Sequence, residues 1–346
     1  MLNLIKNRWS LTALSALLMV STACGEATDT EEPNTEAIDY SEFRPFDEQN
    51  MTNQIARLES HAEIVTLRKT ATTENAAEVY GQIEDLYEAY DLNAKVAGRT
   101  DDHLDTEGWG HENVGEFWDG QITNAIAMGA AGATEADVAW AGQVIDKGLQ
   151  VFFYYSVYHE LYLKKRKNFD EAYGYFGLNF DGTPRDAAPL ANNAVAREAE
   201  YGLTLVTPIF NSFIEARYAL ANGTASNDDV LGEDAEYDAA MANIDRLMLS
   251  ALGHYALHEV DVLTEENADI KIIEARVIWD ALAPYAESVD ADAAQAVLDG
   301  LYPDGMVERD DANYFYTGLS EIRDGSTTID TTALRNAMLD ILETLE

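Results

Sequence analysis

The sequence holds a single cysteine in 346 residues, so no internal disulfide can brace the fold. Basic residues are equally scarce: 22 Lys and Arg stand against 63 Asp and Glu, a formal net charge of −41. A field of that sign repels phosphate backbones and anionic head groups, which excludes nucleic acid as a partner. No stretch reaches eighteen consecutive apolar residues, so none reads as a membrane-spanning helix. Alternating strands bounded by hairpin signals are missing, as are a Gly-x-Ser-x-Gly elbow and a phosphate-binding Gly-x-x-x-x-Gly-Lys loop. The Asp-Gly pairs at 119–120, 181–182, 299–300, 304–305 and 324–325 mark turns, and none continues into a calcium loop. With no nucleophile motif, the chain is expected to be non-enzymatic.

What is there begins with a leader. Lys6 and Arg8 form a positive start, residues 11–20 are apolar, and Ser21-Thr22-Ala23 supplies the small residues a signal peptidase accepts. Cys24 follows at once. The segment resembles a bacterial lipoprotein signal, in which the cysteine is acylated and becomes the mature terminus. Ser21 stands where such signals usually carry Leu, and Ser-x-Ala also suits the ordinary signal peptidase, which would leave Cys24 unmodified. Gly25, in place of an inner-membrane-retaining aspartate, directs the expectation to the outer membrane. Residues 1–23 are therefore read as signal peptide and 24–37 as an acidic tether too poor in apolar residues to fold. The lipid on Cys24 would be the only membrane contact.

Residues 38–346 have the apolar content of a folding chain, with the acidity spread along it. Loss of Lys6 and Arg8 with the leader takes the charge two lower, to −43. Apolar residues three and four apart predict helices over 51–69, 76–90, 235–262, 270–285, 291–298 and 331–345. Residues 150–163 are apolar nearly all round, the mark of a central helix buried on most sides. A long pattern over 194–221 should kink or split at Pro208. Loops are expected at 93–113, 174–192, 222–232 and 302–311. The reading is an all-α bundle of about eight to ten helices, as one core or two packed sub-bundles.

The segment Asp170-Glu171-Ala172-Tyr173-Gly174-Tyr175-Phe176-Gly177, behind an apolar helix from Gln143, resembles the signature of imelysin-like bacterial lipoproteins. Arg57-Leu58-Glu59, Phe213 to Arg217 and His254-Tyr255 fall in the same order. The resemblance spans about residues 50–300 and implies a helical, export-linked protein associated with iron uptake and an envelope receptor. The Gly-x-His-x-x-Glu motif of imelysins proper is absent: Gly253 abuts His254, and Glu259 lies five residues on. Read on chemistry alone, Gly174 and Gly177 permit tight turns around two rings, Tyr175 and Phe176, which either plug the bundle or line a ligand. Asp170 and Glu171 are placed to cap a short helix.

Six histidines leave few metal candidates. His254 and His258 are four apart on one helix, with Glu259 adjacent, a spacing that can offer two imidazoles to one iron or zinc ion. His159 and Glu160 could complete that set across the bundle. Equally, His159 lies in line with Ile145, Leu149 and Phe152, and His258 with Met241, Ile244, Met248 and Tyr255, as core residues do. His61, His103 and His111 read as surface or loop residues, with Glu112 and Glu116 as weak cation ligands beside His111. The expected function is an envelope lipoprotein that binds a ligand, an iron species or another metal among the candidates. A purely structural lipoprotein and a metal-dependent hydrolase are the alternatives.

The spread of the acidity suggests adaptation to a salty exterior, where screening acts beyond about 3–8 Å. The melting temperature should accordingly rise with added sodium chloride as self-repulsion is screened. A flat or falling curve between low and molar salt would assign the charge to specific cation binding or to no thermodynamic role.

Overall fold

The computed structural model describes residues 44–346. The chain divides into two units between Asp39 and Tyr40. The leader, Cys24 and the tether all lie outside the described residues.

The body is all-α, and no strand occurs among the described residues. Its organising element is helix α6, which in chain order follows α1 (Thr52–Arg68), α2 (Ala76–Glu88), α3 (Leu92–Ala97), α4 (His103–Thr106) and α5 (Val114–Ala131). Helix α6 runs from Glu135 to Tyr162, and every residue from 140 to 158 is buried. The apolar run at 150–163 is thus the second half of a longer helix, started by Thr134, whose side chain accepts from the Asp137 amide. Helices α5, α7 (Arg166–Phe176) and α11 (Ala268–Val289) pack along it, and α1, α8 (Pro189–Tyr201) and α10 (Ala235–Asp261) complete the jacket. Side chains such as Phe152, Phe153 and Val157 vanish from solvent. Each contributes about 1.5–3 kcal/mol of transfer free energy.

The break expected at Pro208 falls slightly earlier. Gly202, at φ 72°, ends α8, and α9 (Val206–Gly223) begins four residues later. Pro208 sits in the first turn of α9, where a missing N–H costs nothing. The Glu198 carboxylate of α8 accepts from the Leu205 and Val206 amides, so one helix caps the next. Helices α12 (Ala291–Leu301), α13 (Leu319–Arg323) and α14 (Thr331–Leu342) close the chain. Among the described residues eleven helices have eleven residues or more and three are shorter, against the expected eight to ten. The difference lies in α5 and α7, whose glycines (Gly115, Gly120, Gly129, Gly174) dilute the apolar pattern, and in the short α3, α4 and α13.

A second proline, Pro284, lies inside α11. It has no N–H for the carbonyl of Asp280, four residues back. His111 satisfies that carbonyl instead, at 2.9 Å from its Nε2.

Gly177 ends α7 at φ 88°, and a Cβ there would lie 2.3 Å from the Cβ of Ala188. Gly177→Ala should therefore destabilise the body by at least about 2 kcal/mol, through left-handed strain plus the clash, read as a lower denaturation midpoint.

Candidate functional site

The residues proposed to share a metal each have a separate partner. His159 Nδ1 lies 2.6 Å from Asp102 and within reach of Thr100. The Glu160 carboxylate accepts from Arg99 at 3.2 Å and from Asn168 at 2.6 Å. Both side chains thus rivet the segment 99–106 onto the end of α6. His254 is buried and donates from Nδ1 to the carbonyl of Ser250, 2.8 Å away on its own helix, with its ring beside Tyr201. Burial holds its pKa below the ordinary value. His258 is half-buried and meets Glu200 at 2.7 Å. Glu259 is salt-bridged to Lys271 at 2.6 Å. Among the described residues no group of three or more His, Cys, Asp or Glu is placed to hold a metal. The three-histidine iron or zinc site is not assembled: each imidazole has its own partner, His159 and His258 across to other elements and His254 on its own helix.

His61, His103 and His111, read as surface or loop residues, are instead set into the body. His103 is fully buried. Its ring stacks on Tyr158 at 3.6 Å and on Trp109 at 4.1 Å, with Asp101 at 2.6 Å from Nδ1 and Asp245 at 3.2 Å from Nε2. Burial opposes its charge, but Asp245 and Asp101 outweigh burial and push its pKa up to about 9. His111 turns inward to Asp280, so it is not beside Glu112 and Glu116 as a ligand; these two line an open groove with Glu308 and Asp310. The expected loop 93–113 folds into α3 and α4, with Asp102 paired to His159 of α6, His103 to Asp245 of α10, and Asp101 holding His103 and the His111 amide within the segment.

The Asp170–Gly177 segment is helix α7 and its cap. Asp170 caps neither α7 nor another helix: its carboxylate accepts from the amides of Phe46 and Asp47 and from Asn50, at 2.8–2.9 Å, and so fixes the chain just ahead of a turn that Asp47 itself caps. Those residues lead into the 3-10 turn Glu48–Met51 ahead of α1. Burial raises the Asp170 pKa to about 6 against these hydrogen bonds. Glu171 pairs with Lys167 one turn back. Tyr175 accepts from Arg57 at 2.7 Å, and Phe176 packs on Phe213. Gly174 lets α7 approach Met51 and Gln54. The two rings are buried packing groups, and the segment lines none of the surface clefts described below.

The cleft with the richest chemistry was not anticipated. About 300 Å³ in volume, it opens between α1, α6 and the start of α8. At its base the Asp146 carboxylate accepts from four groups: His61 at 3.0 Å, Arg68 at 2.5 Å, Lys147 at 3.1 Å and Gln150 at 2.9 Å. Burial would raise the Asp146 pKa, but Lys147, His61 and Arg68 hold it well below the usual carboxylate range. Lys147 reaches on to Glu274 at 3.8 Å, and Glu274 to Lys271 at 2.8 Å. Glu259 hydrogen-bonds Glu274 there; burial and that neighbour push Glu259 up to about 8. A chain of charges thus crosses the bundle from the cleft to Lys271. The one sequence signal for it is Asp146-Lys147 inside a run otherwise fit for a core.

A larger open groove of about 700 Å³ lies beside Arg44, Glu48, Phe180 and Arg185. Its walls lack the convergent buried groups of the Asp146 cleft. Comparison with family models, curated proteins and solved structures finds no match to this chain.

Because the folded pKa of His103 is raised from an ordinary 6.5 to about 9, its stabilisation is complete below pH 6.5 and is lost as pH rises through 9. The difference is on the order of 3 kcal/mol. Denaturation midpoints of the native chain should fall between about pH 6 and about pH 10 by more than those of His103→Gln. Parallel curves for the two proteins would show that His103 is not the group responsible.

Proposed function

We propose that this chain is an exported, lipid-anchored envelope protein of imelysin-like type, which carries a helical ligand-binding body on an acidic tether and does no covalent chemistry. The observation that carries the reading is the placement of the lone cysteine. Cys24 directly follows a positive, then apolar, then small-residue leader and precedes an acidic stretch. In keeping with attachment by lipid, no helix among the described residues is long and apolar enough to cross a membrane. The Asp146 carboxylate in the cleft is saturated by four donors and has no lone pair to spare as a general base. An iron species, the ligand class suggested by the imelysin resemblance, would have to arrive as a complex, since His159, His254 and His258 do not converge on a bare ion. An envelope uptake receptor is the partner that this reading calls for. The Gly at position 25 favours the outer membrane.

Cys24→Ser should move the protein from the membrane to the soluble fraction, because a lipid would be its sole apolar attachment. Mass spectrometry of the native mature terminus should show acyl chains on Cys24. An unmodified terminus, or a variant that still sediments with membranes, would sink the lipoprotein reading.

A further inference from the structure

The Asp146 cleft departs from its surroundings in charge. On a chain with a formal charge of −41, its walls hold Arg68, Lys69 and Lys147 with His61, against Asp146 and Asp186. Donors outnumber acceptors. Arg68 spends one Nη2 hydrogen on Asp146, while its Nε is buried with no partner. Lys147 divides its hydrogens between Asp146 and the more distant Glu274. The cleft walls thus present three basic side chains, Arg68, Lys69 and Lys147, against two carboxylates.

Helix α8 adds to this. It begins at the cleft, with Pro189 as a wall residue, and its N-cap position is Ala188, which offers no side-chain acceptor to the first-turn amides. The positive end of a thirteen-residue helix and the arginine and lysine side chains thus meet at one opening. The first turn of α8 alone would not make a site; the cationic wall of Arg68, Lys69 and Lys147 is a separate observation that favours the same sign of ligand. The volume of about 300 Å³ is at the lower limit of small-molecule sites, which suits a compact ion.

We infer that the cleft between α1, α6 and the start of α8 binds a small anion, through carboxylate or phosphate oxygens, by way of Arg68, Lys69 and Lys147. This names a ligand class for the binding role proposed above and rests on that role only in part: the cleft could bind an anion whether or not Cys24 is acylated.

The test is calorimetric titration of the full chain, purified in mild detergent, with citrate and separately with inorganic phosphate. Ionic strength is held constant with sodium chloride, because general screening of this acidic chain would itself raise stability. Saturable binding of one anion per chain is expected. Binding of citrate alone would identify a carboxylate ligand, and of phosphate alone a phosphate ligand. Lys69→Gln, at an exposed position, should weaken binding about tenfold with the circular dichroism unchanged. Arg68→Gln should do so at least as strongly, and Lys95→Gln, outside the cleft, should have no effect. Should Arg68→Gln fail to fold, Lys69→Gln still decides. No heat with either anion would overturn the inference, as would binding that Lys69→Gln leaves intact. The Cys24→Ser fractionation is independent of both results, so either reading can fail without the other.

Discussion

A 28-residue helix buried on every side, yet bearing charged and hydroxyl groups, sets the terms for the whole body. Asp146, Lys147, Gln150, Tyr154, Tyr158 and Glu160 are largely withdrawn from water, so the neighbours that cover α6 must bring counter-groups. Helix α1 brings His61 and Arg68. The segment before α5 brings Arg99 and His103, α10 brings Asp245, and α11 brings Glu274. Trp140, near the start of α6, donates to Asp269 of α11 at 2.8 Å. Such pairs add little net stability compared with a fully apolar core, since desolvation offsets most of the attraction. Leaving one partner alone costs about 3–5 kcal/mol, so the pairs penalise any other register of the surrounding helices.

That constraint also explains what was legible in the sequence. Helices with one apolar face, such as α1, α2 and α14, fall within a few residues of their predicted bounds, because half-burial writes a 3.6-residue period into the chain. Helix α6 shows only its second half, because full burial erases the period and the polar residues of its first half read as surface. The histidines are only partly legible for the same reason. His254 and His258 have the spacing of a ligand pair, but spacing along one helix says nothing of the donors opposite. His103 and His111 lie in a stretch rich in Asp and Gly that has no periodicity, and their burial depends on Asp245 and Asp280, more than a hundred residues away. The Asp170 segment stood out correctly as a conformational feature, with Gly177 as its left-handed cap. Its carboxylate's partner, the approach to α1, was beyond reach of local pattern.

Part of the acidity has a task inside the fold. Asp234, Asp290 and Asp330 each accept from amides in the first turn of α10, α12 and α14, and Glu198 does the same for α9. A carboxylate at that position both replaces the missing hydrogen-bond partner and opposes the helix dipole, a contribution of about 1 kcal/mol each. Further carboxylates, Asp146, Asp245 and Asp280 among them, are buried in ion pairs, and many of the others among the described residues are exposed, where their effect depends on ionic strength. The same chain thus uses carboxylates as local anchors and as a diffuse field, and the cationic cleft beside Asp146 stands out against both.

Pro284 reaches further than its own helix. By leaving the Asp280 carbonyl without an amide, it creates an acceptor that needs a donor from elsewhere, and His111 Nε2 is the atom that meets it. Burial keeps His111 below its ordinary pKa, in spite of the Asp280 carboxylate, so the ring is neutral and carries a single proton. That proton must then sit on Nε2, which leaves Nδ1 with its lone pair. A proline in α11 thereby selects the tautomer of a histidine 169 positions earlier in the chain.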